Sequence, residues 1–170
     1  HIGLYDYMPK QEMEQAFQSI RAAVNHPMTA MEFYQHIVPL HGLIKNGHTI
    51  IQPTADFDER KATVEVLFPF DVYWDCNQLY VLRNLSEEKD IVAGSMIKTI
   101  NGESAATVFL SMSSQWTRDG YNEGFADAIT YRAFGEFYAN FKGLPEIFEL
   151  EIMNPNGQVT EHSVQALTNP

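Results

Sequence analysis

Gly94-Ser95-Met96-Ile97-Lys98-Thr99-Ile100-Asn101-Gly102 reads as a strand that ends in a tight turn. On an ideal pleat Met96, Lys98 and Ile100 take one face, and Ile97 and Thr99 the other. Asn-Gly tolerates positive φ, so the chain can leave the strand and enter a helix at once. Glu103–Gln115 has the character of that helix. Working outward, Thr63–Leu67, Val72–Trp74 and Leu79–Leu82 are rich in β-branched and aromatic residues, as strands are. Asp75-Cys76-Asn77-Gln78 reads as the turn joining the last two. Residues 122–141 predict one long helix with Phe125, Ile129, Ala133 and Phe137 along a face. Ile147–Met153 and Gln158–Val164 flank Asn154-Pro155-Asn156-Gly157, whose turn chemistry predicts a hairpin. The sum is an α+β domain of about five strands.

Upstream, two amphipathic helices are expected. Pro9 suits a helix start, where no N–H partner is needed. Met13, Ala16, Phe17, Ile20 and Val24 then recur at steps of three and four. Thr29 and Glu32 form a capping-box pattern, with Met28 and Phe33 placed as a hydrophobic staple. Phe33, Tyr34, Ile37, Val38 and Leu40 are the expected buried face. Pro39 should kink the helix or shift its end, and Asn46-Gly47 offers a left-handed stop. Two such short helices cannot enclose a core alone.

The chain has 170 residues, 45% of them hydrophobic and 19% charged, the composition of a folded globular protein. It holds 11 Lys and Arg against 22 Asp and Glu, a net charge of −11. An acidic chain without a basic stripe is a poor nucleic-acid binder. No apolar run is long enough to span a membrane. A single cysteine, Cys76, excludes an internal disulfide, and its acidic neighbour Asp75 disfavours a thiolate. The histidines are too scattered to suggest a metal site, and no cofactor is expected. Residues 1–52 carry four acids and three bases, a net of −1, whereas residues 53–170 carry −10. Five of the six histidines lie in the first part. Two units are therefore expected: a helical unit over 1–52 and a second over 53–170 with a helical insertion at about 103–142, joined near Gln52–Lys61. The start at His1 reads as a processed or truncated chain.

Several stretches resemble the front half of a tricorn-like or C-terminal-processing serine peptidase of bacterial type. His1-Ile2-Gly3-Leu4-Tyr5 is similar to the His-Pro-Gly-Leu-Tyr opening of such proteins. Asn46-Gly47-His48-Thr49 resembles their Asp-Gly-His-Thr motif, with Asn46 in place of the aspartate. Gly94–Gly102 resembles the Gly-x-x-Ile-x-x-Ile-Asn-Gly strand of bacterial PDZ domains, and Asp119-Gly120-Tyr121-Asn122 their extended helical segment. The resemblance implies a helical pair followed by a PDZ-like β-sandwich or partial barrel. It also implies that His48 is the general base for a serine beyond Pro170, and that Phe68, Phe70 and Val72 line a peptide groove. The implied partners are a downstream catalytic domain and a peptide or protein substrate, and the implied location is the periplasm, cell envelope or exterior.

The residues themselves leave His48 open between two roles. A loop imidazole can act as a general base near neutral pH, or it can simply pack a helix–strand junction. No Gly-x-Ser-x-Gly elbow occurs, so the chain alone has no recognisable nucleophile. A self-standing peptide- or protein-binding module of the cell envelope is the competing reading. Trp74, Trp116 and the aromatic run from Phe125 to Phe141 are expected to be core.

Overall fold

The computed structural model describes residues 3–52 and 66–168. The expected joint from Pro53 onward, and residues 63–65 of the first expected strand, lie outside the described residues. Contacts divide the chain into two compact units. One comprises His1–Thr63 and Ser114–Ala126, the other Val64–Ser113 and Asp127–Pro170.

The first unit contains α1 (Lys10–Ala23), α2 (Ala30–Ile37) and α3 (Leu40–Ile44). Pro9 immediately precedes α1, and Met13 is its fully buried residue. The capping box of α2 is formed. Thr29 Oγ1 accepts the Glu32 N–H at 3.2 Å and the Glu32 carboxylate accepts the Thr29 N–H at 2.7 Å. These bonds hold the Glu32 carboxyl below its usual range, the Thr29 backbone contributing most. Pro39, which has no N–H, ends α2 and starts the separate turn α3. Two expectations need correcting here. Phe33 is 44% exposed and drops out of the expected buried face, whereas Tyr34 and Val38 are buried as expected. Burial pushes the Tyr34 hydroxyl up to about 12. The left-handed residue after α3 is Lys45, at φ 52° and ψ 40°, rather than Asn46 or Gly47.

The second unit is α+β. Its six-stranded antiparallel sheet follows the order β2 (Phe70–Asp75), β3 (Gln78–Asn84), β4 (Met96–Ile100), β6 (Ile147–Met153), β7 (Val159–Gln165), with β5 (Glu103–Ser104) paired to β4. A separate pair joins β1 (Val66–Leu67) to β8 (Leu167–Thr168). Three tight turns follow the local chemistry. Cys76 and Asn77 both have positive φ between β2 and β3, as do Asn101 and Gly102 between β4 and β5. Asn154–Gly157 closes the β6–β7 hairpin, with the Asn154 N–H donating to Gln158 O at 2.8 Å.

On β4 the pleat is not ideal. Ile97 stands opposite Ile152, but Thr99 stands opposite Glu151, so Lys98 is the extra residue of a bulge. The half-step turns Ile100 inward as well. Ile97 and Ile100 are 2% and 1% exposed, where strict alternation puts them on opposite faces. After the Asn101-Gly102 turn the chain forms β5 before the helix begins. That helix, α4 (Ala105–Ser113), buries Val108, Phe109 and Met112. Trp74 stacks on Phe109, ring centroids 3.9 Å apart.

The long helix expected over 122–141 is two helices, α5 (Glu123–Arg132) and α6 (Phe134–Phe141). Ala133 leaves helical geometry at φ −120°, ψ 34°. Phe134, Phe137 and Tyr138 beyond the break are buried, whereas Phe125 before it remains 46% exposed. Asn101 ties three elements together: its side chain accepts the Glu149 N–H at 2.8 Å and donates to Tyr138 Oη at 3.1 Å.

Candidate functional site

His48 lies in the first unit, on the loop that follows α3, and is exposed. The loop around it is held at several points. The Asn46 side chain accepts the His48 N–H at 3.0 Å, an Asx turn. The Asn46 carbonyl accepts the Thr49 N–H at 2.9 Å. An amide at position 46 therefore performs the turn-forming task as a carboxylate would.

The remaining contacts come from residues 117–120. Thr117 Oγ1 donates to Asn46 O at 2.7 Å, and the Gly120 N–H donates to Lys45 O at 2.9 Å. The Gly47 N–H donates to Asp119 Oδ1 at 2.7 Å. A Cβ at position 47 would lie 2.8 Å from that oxygen and 3.1 Å from the other. An added Cβ at position 47 would thus force the Asp119 side chain to shift, and the φ of Gly47 is not positive. The Lys45 ammonium sits 4.2 Å from the Tyr121 ring centroid, and Tyr121 meets Tyr7 edge-on.

His41, fully buried, closes the far end of the loop: its Nε2 accepts the Ile51 N–H. Its Nδ1 makes no well-formed hydrogen bond, and its ring meets Trp116 edge-on. Burial holds this imidazole below its ordinary pKa, and the Gln115 backbone partly offsets that effect. The arrangement presents one exposed imidazole on a loop pinned from several sides, which is what an external proton acceptor requires. Sequence reasoning does not single out Thr117, Asp119 or His41 for this loop. Asp119 shows there only within a stretch that resembles an extended helical segment, with nothing to connect it to residues some seventy positions earlier.

The serines of the second unit have structural partners. Ser95 Oγ donates to Asn154, Ser113 Oγ to Asp127 and Ser163 Oγ to Glu149. Among the described residues no group of three or more His, Cys, Asp or Glu could hold a metal ion. Cys76 is exposed in its turn, and the hydrogen bond and charge of Asp75 raise its thiol pKa. No helix among the described residues is long and apolar enough to cross a membrane.

Phe68, Phe70 and Val72 are 3%, 3% and 2% exposed and belong to the core of the second unit. The Phe68 ring lies 4.9 Å from both Phe134 and Phe148. Phe68 and Phe70 also border a cavity of about 160 Å³ beside the edge of β2, with Asp71, Tyr131, Arg132 and Phe134. Asp71 there is ion-paired to Arg83 at 2.5 Å. Among the described residues β2 is an edge strand, paired with β3 alone.

No protein-family model and no curated protein matches the chain. Solved structures do. Mature CPAF, a chlamydial serine protease, superposes in its complex with lactacystin at TM-score 0.65 and 12% identity. That match covers 93% of this chain and 29% of CPAF. A second structure of mature CPAF gives TM-score 0.64 at 12% identity, and a CPAF point mutant 0.61 at 14%. The chain thus has the fold of a stretch of CPAF and spans less than a third of that protein's length.

Proposed function

We propose that the chain is the non-catalytic N-terminal portion of a serine peptidase acting in the periplasm, the cell envelope or outside the cell. In this reading His48 is the general base for a serine in a separate catalytic domain, and the second unit is a PDZ-like module that guides substrate. The fold likeness to CPAF over 93% of the chain is the observation that carries it. The exposed His48 on its pinned loop supports the base, and the edge strand β2 beside an aromatic cavity supports a strand-adding peptide. A base without a nucleophile cannot form an acyl-enzyme. The isolated chain should therefore leave casein and simple esters intact. In the longest polypeptide that carries this sequence, His48→Ala should lower kcat by ~10²–10⁴ with little change in fold stability. A wild-type rate in that variant would return His48 to a packing role.

The β2 edge favours a second reading, a self-standing peptide-binding module without proteolysis. The length of the parent reading frame separates the two. A further ~200 residues with a serine at a Gly-rich turn fits the peptidase, and a stop near Pro170 fits the module.

A further inference from the structure

We infer that Asp119 and Thr117 are positioning residues for His48, an inference that rests on reading His48 as the base. The bonds that fix the residues just before His48 from outside the loop come from one short stretch. Thr117 Oγ1 binds Asn46 O at 2.7 Å, Asp119 Oδ1 binds the Gly47 N–H at 2.7 Å, and the Gly120 N–H binds Lys45 O at 2.9 Å. They bracket the peptide groups immediately before His48 and leave its exposed ring untouched. The carboxylate makes a charge-assisted bond, stronger and more directional than a neutral one. It can come this close only because residue 47 has no Cβ. The motif resemblance leads one to expect a carboxylate at position 46. Here the amide of Asn46 makes the turn, and the carboxylate of the loop is supplied by Asp119, 72 residues beyond Gly47 along the chain. A base must be held near its productive position for proton transfer, and small displacements of a loop lower that probability steeply.

The test has two arms. In this chain, amide hydrogen exchange is followed at Gly47 and His48 in Asp119→Ala, Asp119→Asn and the near-isosteric Thr117→Val, with the amides of α1 as the internal reference for folding. Exchange at Gly47 should rise at least ~10-fold in Asp119→Ala while α1 is unchanged. Unaltered protection in both Asp119→Ala and Thr117→Val would overturn the inference whatever His48 does. In the longest polypeptide carrying the sequence, Asp119→Ala should lower kcat at unchanged KM, with partial recovery in Asp119→Asn. The His48→Ala/Asp119→Ala double variant should be no slower than His48→Ala alone. Additive losses would assign Asp119 to another role and overturn the proposal. A wild-type rate for His48→Ala would instead overturn the reading of His48 as the base, and the exchange arm would still report whether Asp119 holds the loop.

Discussion

Ile97 and Ile100 stand three residues apart on one strand and both face the core, because Lys98 between them is a bulge. Each isoleucine should therefore behave as a core residue. Replacement by alanine is expected to cost ~2–5 kcal/mol in either case. Lys98→Ala removes only a half-exposed ion pair to Glu151, at 2.8 Å, and should cost under ~1 kcal/mol. Deleting Lys98 removes the bulge and leaves the two isoleucines two apart, still on one face, so the deletion should be tolerated better than Ile100→Ala. Urea unfolding monitored by tryptophan fluorescence gives all four values. A deletion as damaging as Ile100→Ala would show that the bulge itself is needed for register.

A pH dependence follows from His41. Its imidazole is held below its ordinary value by burial, so the unfolded chain takes up this proton more readily than the folded one. The stabilising contribution is present above the ordinary histidine pKa of ~6.5 and is lost as pH falls below it toward the folded value. Melting of the first unit should move to lower temperature between pH 7.5 and pH 5. His41→Gln should flatten that slope, while lost packing lowers the melting temperature at every pH. Glu32 acts in a separate window, since its lowered carboxyl pKa matters only in the acid range of carboxylates. An unchanged slope in His41→Gln would remove His41 as its source.

Two glycines should respond differently to alanine. At Gly42 a Cβ would fall 2.1 Å from the Ser114 carbonyl oxygen, which is backbone and cannot swing aside. Gly42→Ala should cost ~3 kcal/mol or more, at the upper end of overpacking penalties. At Gly102 there is open space, but φ is +80°. The cost there should be near ~1 kcal/mol, the strain of a left-handed residue alone. Thermal denaturation of the two variants ranks them, and the reverse order would contradict the close approach at Gly42.

Free carboxyl termini are expected to be poor ligands of the β2 groove. Pro69, just before β2, has no N–H to offer, and its carbonyl already accepts the Leu85 N–H at 3.1 Å. Asp71 adds negative charge at the cavity, moderated by its pairing to Arg83. Peptides ending in a free acid and their amidated forms should bind with similarly weak affinity by calorimetry, and internal extended segments should do no worse. Micromolar binding abolished by amidation would show a working carboxylate loop.

The parts legible in the sequence are those decided within a few residues. The Thr29–Glu32 box, the break at Pro39 and the hairpin turns at Cys76-Asn77 and Asn154–Gly157 each depend on the chemistry of their own residues. The α+β class follows from the same local signals. Three features are not decided so locally and are not legible. Whether Ile-x-x-Ile bulges is settled by what β6 presents across the ladder. Whether 122–141 is one helix turns on Ala133, which carries no helix-breaking chemistry of its own. The left-handed residue falls on Lys45, one position before the Asn46-Gly47 pair that local chemistry favours, and the Gly120 N–H, 75 positions on, binds its carbonyl. At the candidate site, His48 and Asn46 can be found from the motif, but Thr117 and Asp119 cannot.

The first unit is drawn from two stretches of chain, His1–Thr63 and Ser114–Ala126. Synthesis on the ribosome delivers them at different times. At ~5–20 residues per second, the stretch ending at Ala126 emerges several seconds after Thr63. Until then Asn46 and Gly47 lack the partners 71 and 72 positions downstream that hold them in the finished protein. Joining ends so far apart also carries a loop-closure cost that a contiguous helical bundle avoids. The N-terminal helices are thus the first residues made, yet their unit is complete only once Ala126 has been added. A piece cut after residue 63, at what looks like the natural seam, would carry His48 without the stretch of sequence that holds it in place.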